Sequence, residues 1–80
     1  MNGTITKIHQ PKESKNGKYI FIRVEFRLED GTWAKTDLCP TFHNYKHWKN
    51  FLTVGTELGE LKMKAPGEVN ADSHPYLPSK

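Results

Sequence analysis

Apolar and polar positions alternate with a period of two from Tyr19 to Leu28. Ile20, Ile22, Val24, Phe26 and Leu28 share one parity; Tyr19, Phe21, Arg23, Glu25 and Arg27 share the other. Successive side chains of a strand point to opposite faces. The pattern therefore predicts a strand over Lys18–Glu29 with one apolar face and one face carrying two rings and two arginines. At about 3.3 Å per residue such a strand runs about 40 Å, long for a small domain. A strand of that length has to curl, as strands do in small closed barrels. Upstream, the β-branched stretch Gly3–His9 reads as a first strand. Ile5 and Ile8 are out of phase there, which predicts a bulge or bend between them. The intervening Gln10–Gly17 is read as a loop with an Asn-Gly turn.

The turn at Glu29-Asp30-Gly31 decides what the second strand faces. A two-residue Asp-Gly hairpin would set Phe26 opposite Lys35 and place Lys35 and Asp37 on the apolar face, a costly arrangement. A three-residue loop with Gly31 left-handed shifts the register by one. Phe26 then meets Ala34, Val24 meets Thr36, and Ile22 meets Leu38. On the other face Arg27 meets Trp33, Glu25 meets Lys35, and Arg23 meets Asp37. Each of these pairs is chemically compatible, so the three-residue loop is the expected one.

Pro40 ends the third strand, and Thr41 or Asn44 can cap a short helix. Tyr45, Trp48 and Leu52, with Phe51 beside them, form a stripe at helical spacing. Trp48 and Leu52 are expected to plug the core. Val54–Lys64 reads as strand four with a bend at Gly59. Ala65-Pro66-Gly67 is a turn, with Gly67 free to take positive φ. A fifth strand follows from Glu68, with Val69 and Ala71 inward, until Pro75 ends it.

Composition adds bounds. Eighty residues suit one domain, set here as 1–77 with 78–80 as tail. Hydrophobic content is only 35%, but two Trp, three Tyr and four Phe compensate, because each ring buries a large area. A net charge of +3 permits a polyanionic partner without requiring one. The single Cys39 rules out a disulfide within the chain and favours a reducing, cytoplasmic setting. No apolar run approaches transmembrane length, so no membrane partner is expected.

The predicted order is strand, loop, strand, hairpin, strand, short helix, strand, turn, strand. This all-β pattern with one short helix between strands 3 and 4 resembles the OB-fold, a five-stranded Greek-key barrel. The resemblance rests on element order, the long second strand and the bulged first; no family-specific motif accompanies it. An SH3-like barrel is the competing architecture. The OB resemblance implies that strands two and three face single-stranded DNA or RNA, with DNA favoured. On those strands Tyr19, Phe21 and Trp33 would stack on bases, and Arg23, Arg27 and Lys35 would steer the backbone. Lys12, Lys15 and Lys18 in or beside the first loop, and Lys62 and Lys64 near the last turn, would form the two rims. A replication or repair protein is a further implied partner. The alternative is a protein-interaction or inhibitor module using the same exposed rings.

Other constellations are weaker. Cys39, His43 and His47 are four apart, but the spacing matches no known zinc finger, and a buried thiol is ordinarily a small core group. Asp72, Ser73 and His74 are adjacent on a strand and would point to opposite faces, against a catalytic triad. No glycine-rich phosphate loop or paired acidic metal site is present. The chain is therefore expected to work without a cofactor and without catalysis.

Overall fold

The computed structural model describes residues 1–41 and 45–71, and its centre is the long alternating strand. The elements are β1 (Gly3–Ile8), β2 (Lys12–Glu13), β3 (Ile20–Leu28), β4 (Trp33–Leu38), α1 (Tyr45–Trp48), a 3₁₀ turn (Lys49–Phe51), β5 (Glu57–Leu58), β6 (Met63–Ala65) and β7 (Glu68–Val69). The fold is mostly β with one short helix. Along β3, Val24, Phe26 and Leu28 are buried while Arg23 and Arg27 are exposed, as the period-two pattern requires; at the start of the strand the pattern fails, with Ile20 exposed and Phe21 half-buried.

The β3–β4 hairpin takes the three-residue register: Phe26 opposite Ala34, Val24 opposite Thr36, and Ile22 opposite Leu38. Gly31 sits at φ +86°, the left-handed conformation this loop needs. Asp30 fixes the loop from its side chain, accepting from the Thr32 hydroxyl at 2.6 Å and the Thr32 N–H at 3.0 Å. β1 lies antiparallel on the other edge of β3, and its register shifts between Ile5 and Lys7. That is the bulge expected from the phase break. It keeps Ile5 in the core while carrying the chain round the curve.

The sheet order is β5-β1-β3-β4-β7-β6, with β2 paired to β3 off this path. Every pairing is antiparallel except β4 with β7. β5 and β6 end the path on opposite sides yet are consecutive in the chain. The sheet is therefore curled into a half-barrel whose two ends are linked by Gly59–Lys62. Within this link Glu60 has φ +57° and Gly59 is buried. The Leu61 N–H donates to the Met1 carbonyl at 2.9 Å, which holds the link against the start of β1.

The core fills the concave side. Ile5, Val24, Phe26, Leu38 and Leu58 are essentially inaccessible, and Trp48 closes one end. The Trp48 ring lies 5.9 Å from that of Phe26, tilted by 60°. Its indole N–H donates to the Ala71 carbonyl at 3.0 Å, so the buried polar atom is satisfied. Trp48 is thus the plug expected of it; Leu52 packs against the core but is only half-buried.

Several expectations are corrected. There are seven strands rather than five, and the helix lies between β4 and β5 rather than between strands 3 and 4. The segment read as a loop contains β2, because a turn at Ser14–Gly17 folds it back onto β3. In that turn the Asn16 side-chain Oδ1 accepts from the Ser14 hydroxyl at 2.6 Å and from the Lys18 N–H at 3.1 Å. Consequently β3 starts at Ile20, not Lys18. The single fourth strand is broken into β5 and β6 by the left-handed Glu60. The fifth reaches only Glu68–Val69 in ladder pairing. Asn44, His43 and residues 72–80 lie outside the described residues, and with them the Asp72-Ser73-His74 triplet and the tail.

Candidate nucleic-acid interface

The convex face of β3 and β4 is built from the polar parity of the alternation. Three cross-strand pairs run along it: Arg27 with Trp33, Glu25 with Lys35, and Arg23 with Asp37. Each is a direct neighbour pair on one face, where side chains interact most strongly. The Arg27 guanidinium lies 5.6 Å from the Trp33 ring centroid, a cation–π contact, and Trp33 is 56% exposed. Arg23 forks onto Asp37, Nε to Oδ1 at 2.9 Å and Nη2 to Oδ2 at 3.4 Å. The hydrogen bond and charge of Asp37 raise the Arg23 pKa further above its ordinary value, so this cation is permanent. In the middle of the face Glu25 is held by His9 from β1's far end through Nε2–Oε2 contact. Lys35 opposite it is half-buried.

Beyond these pairs β3 continues past the end of β4. Phe21 and Tyr19 extend the same parity, with ring centroids 6.4 Å apart and planes tilted by 44°. β2 lies alongside, with Lys12 directly opposite Phe21. Together they border an open cleft of about 480 Å³, lined by His9, Gln10, Lys12, Glu13, Phe21, Arg23 and Asp37. Lys15 and Lys18 are exposed on the adjoining turn. On the opposite flank Lys35, Lys64 and Glu68 share a smaller groove of about 170 Å³. Lys62 and Lys64 are exposed there.

The residues singled out from the sequence therefore fall into three groups. Tyr19, Phe21, Arg23, Lys15 and Lys18 gather at the β2–β3 end. Arg27 and Trp33 stand at the other end of β3. Phe21 and Arg27 are six residues apart, about 20 Å along the strand. Lys35, Lys62 and Lys64 belong to the β4–β6 flank. Charged side chains, not rings, occupy the middle of the face: the Arg23–Asp37 ion pair, Glu25 held by His9, and Lys35. Lys12, grouped from the sequence with Lys15 and Lys18 at the first loop, lines the cleft, and so do His9 and Gln10, which the sequence did not place at the interface. The signal that could have placed Lys12 on a strand opposite Phe21 is the Asn16-Gly17 turn, which is a hairpin signal as well as a loop signal.

Among the described residues no group of His, Cys, Asp or Glu is arranged to hold a metal ion. Cys39 is buried, with its Sγ 3.0 Å from the Thr41 hydroxyl oxygen, and His47 is half-buried on α1. No helix in the described residues is long and apolar enough to cross a membrane. No protein-family profile, curated protein or solved structure matches the chain.

Proposed function

We propose that this protein binds single-stranded nucleic acid, DNA foremost, on the convex face of β3 and β4, without catalysing a reaction. The observation that carries the reading is the Tyr19–Phe21 ring pair beside a cleft bearing Lys12 and Arg23. Unpaired bases stack on rings for about 1–3 kcal/mol each, and cations within reach follow the phosphates. Arg27 on Trp33 repeats the same chemistry at the far end, so a strand laid along β3 meets a ring at each end and Arg23 between. The sheet path supports an OB-like reading too. With β5 and β6 taken as two halves of one strand, it becomes a five-membered Greek-key circuit.

A fluorescein-labelled oligo-dT titrated by anisotropy over a range of NaCl tests this. The expected result is binding that weakens steeply with salt, because phosphate contacts release counterions. Phe21→Ala weakens it about tenfold or more, with the thermal midpoint preserved. Absence of binding at about 50 mM salt, or binding indifferent to Phe21→Ala, overturns the proposal. One observation favours the alternative of a protein-docking face: Glu25 and Asp37 place two carboxylates amid the cations, and these repel phosphate. A loss of oligonucleotide binding together with retention of a defined protein partner would select that reading.

A further inference from the structure

The cleft at Phe21 and Lys12 has a counterpart at the other end of β3, an open hollow of about 550 Å³ beside Arg27. Thr4 and Thr6 of β1 and Glu57 of β5 wall this second hollow, so the two are lined by different residues. Both volumes, about 480 and 550 Å³, lie within the range of small-molecule sites, about 300–1,000 Å³. Each hollow has a ring and a cation at its edge: Phe21 with Lys12 at the first, Trp33 with Arg27 at the second. Arg27 covers one face of Trp33, yet the residue is 56% exposed, so ring surface remains for a base. The strip between the hollows carries charge in place of rings. Glu25, held by His9, stands midway, with Arg23 and Arg27 on either side of it along the same face of β3. The fork onto Asp37 engages two of the Arg23 N–H donors and leaves the rest for phosphate.

We propose that the two hollows are paired nucleotide subsites and that the unit bound is an extended tetranucleotide. Its first and fourth bases stack at Phe21 and Trp33, and its middle two bases make no stacking contact. The inference rests on the nucleic-acid reading above. Phe21 and Arg27, the residue paired with Trp33, are about 20 Å apart along β3. A single strand rises about 3.4 Å per nucleotide while its bases stack on one another, and about twice that when they are splayed apart. Three extended steps therefore cover the distance and bring the first and fourth bases to the rings together. A trinucleotide, with two steps, stops about 7 Å short. A stacked strand would need about six steps, and its bases would face each other rather than the rings. Glu25 explains why the middle is bridged and not gripped. Its carboxylate repels the passing phosphates, which meet Arg23 on one side and Arg27 on the other.

The test titrates oligo-dT of increasing length, from dimer to octamer, into nitrogen-15-labelled protein and reads affinity from the amide shifts. Affinity is expected to jump about tenfold from trimer to tetramer, within the range of one added stacked base, and to rise gently thereafter. The tetramer is expected to shift the amides of Phe21 and Trp33 together. In tetramers with one abasic position, loss of the first or fourth base is expected to cost about tenfold, and loss of the second or third less than about twofold. Trp33→Ala, with its fold checked by the thermal midpoint, is expected to erase the jump; the abasic series needs no variant. Affinity that climbs evenly with length, or middle abasic positions as costly as the ends, overturns the paired subsites and leaves the strand-binding reading intact. A jump that survives Trp33→Ala, or tetramer shifts confined to one end of β3, overturns them as well. Failure of every oligomer to bind removes the strand-binding reading, and the paired subsites with it.

Discussion

Gly31 holds the hairpin at φ +86°, and a Cβ built there meets nothing within 4 Å. Alanine at this position costs backbone energy alone. Gly31→Ala is expected to lower stability by about 1–2 kcal/mol, read from the urea midpoint. Gly3 contrasts with it. A Cβ there would come within 2.9 Å of the Leu61 side chain, so its constraint is packing and not φ. The neighbouring Asp30 supplies a pH dependence. The Thr32 hydroxyl and then the Thr32 N–H, both donating to its carboxylate, hold its pKa below the ordinary range. The folded state therefore favours the ionised form. The stabilisation is present above the unfolded pKa of about 3.9 and is lost as pH falls through the lower folded value. Asp30→Asn keeps an acceptor but not the titration. Urea midpoints followed from about pH 5 to pH 2 are expected to fall more in the wild type than in the variant; parallel curves would refute the assignment.

Among the elements, the β2–β3 hairpin is the one the sequence concealed. Lys12 and Glu13 are both charged and follow Pro11, so they carry no apolar alternation. Their pairing is a product of the Ser14–Gly17 turn and of backbone hydrogen bonds, such as Ser14 N–H to the Tyr19 carbonyl at 2.8 Å. Asn16→Ala removes the acceptor shared by Ser14 and Lys18. It is expected to speed amide exchange around Lys12–Phe21 with less than about 0.5 kcal/mol change in global stability. Oligo-dT affinity should fall with it, because the cleft loses one wall. Unchanged exchange would show that the turn holds without Asn16. The break between β5 and β6 was hidden for another reason. Glycine announces a left-handed turn, and Gly59 drew the expected bend, whereas the residue that takes positive φ is Glu60. The hairpin of β3 and β4, by contrast, was legible in full. Its inward and outward residues satisfy every cross-strand pair in only one register, so side-chain chemistry and turn geometry agree.

For the whole molecule, parity along β3 and β4 sorted the faces where the two strands pair, but not at the free start of β3, where Ile20 is exposed, and it did not measure along them. It correctly sent Phe21, Arg27 and Trp33 to the convex side. It already set the charged pairs Glu25 with Lys35 and Arg23 with Asp37 between the rings, but not how far apart the rings end up, because distance along a strand matters only once the sheet is assembled. The cleft depends on Lys12, Arg23 and Asp37 from three strands, and no local pattern connects those three. The curled sheet carries one more implication. Its two borders are the halves of a single short run of chain, so the girth of the half-barrel is set by covalent length as well as by ladder bonding. Slack or tension between Gly59 and Lys62 is felt on both rims at once: loosening β5 from β1 also mistunes β6 against β7 on the far side.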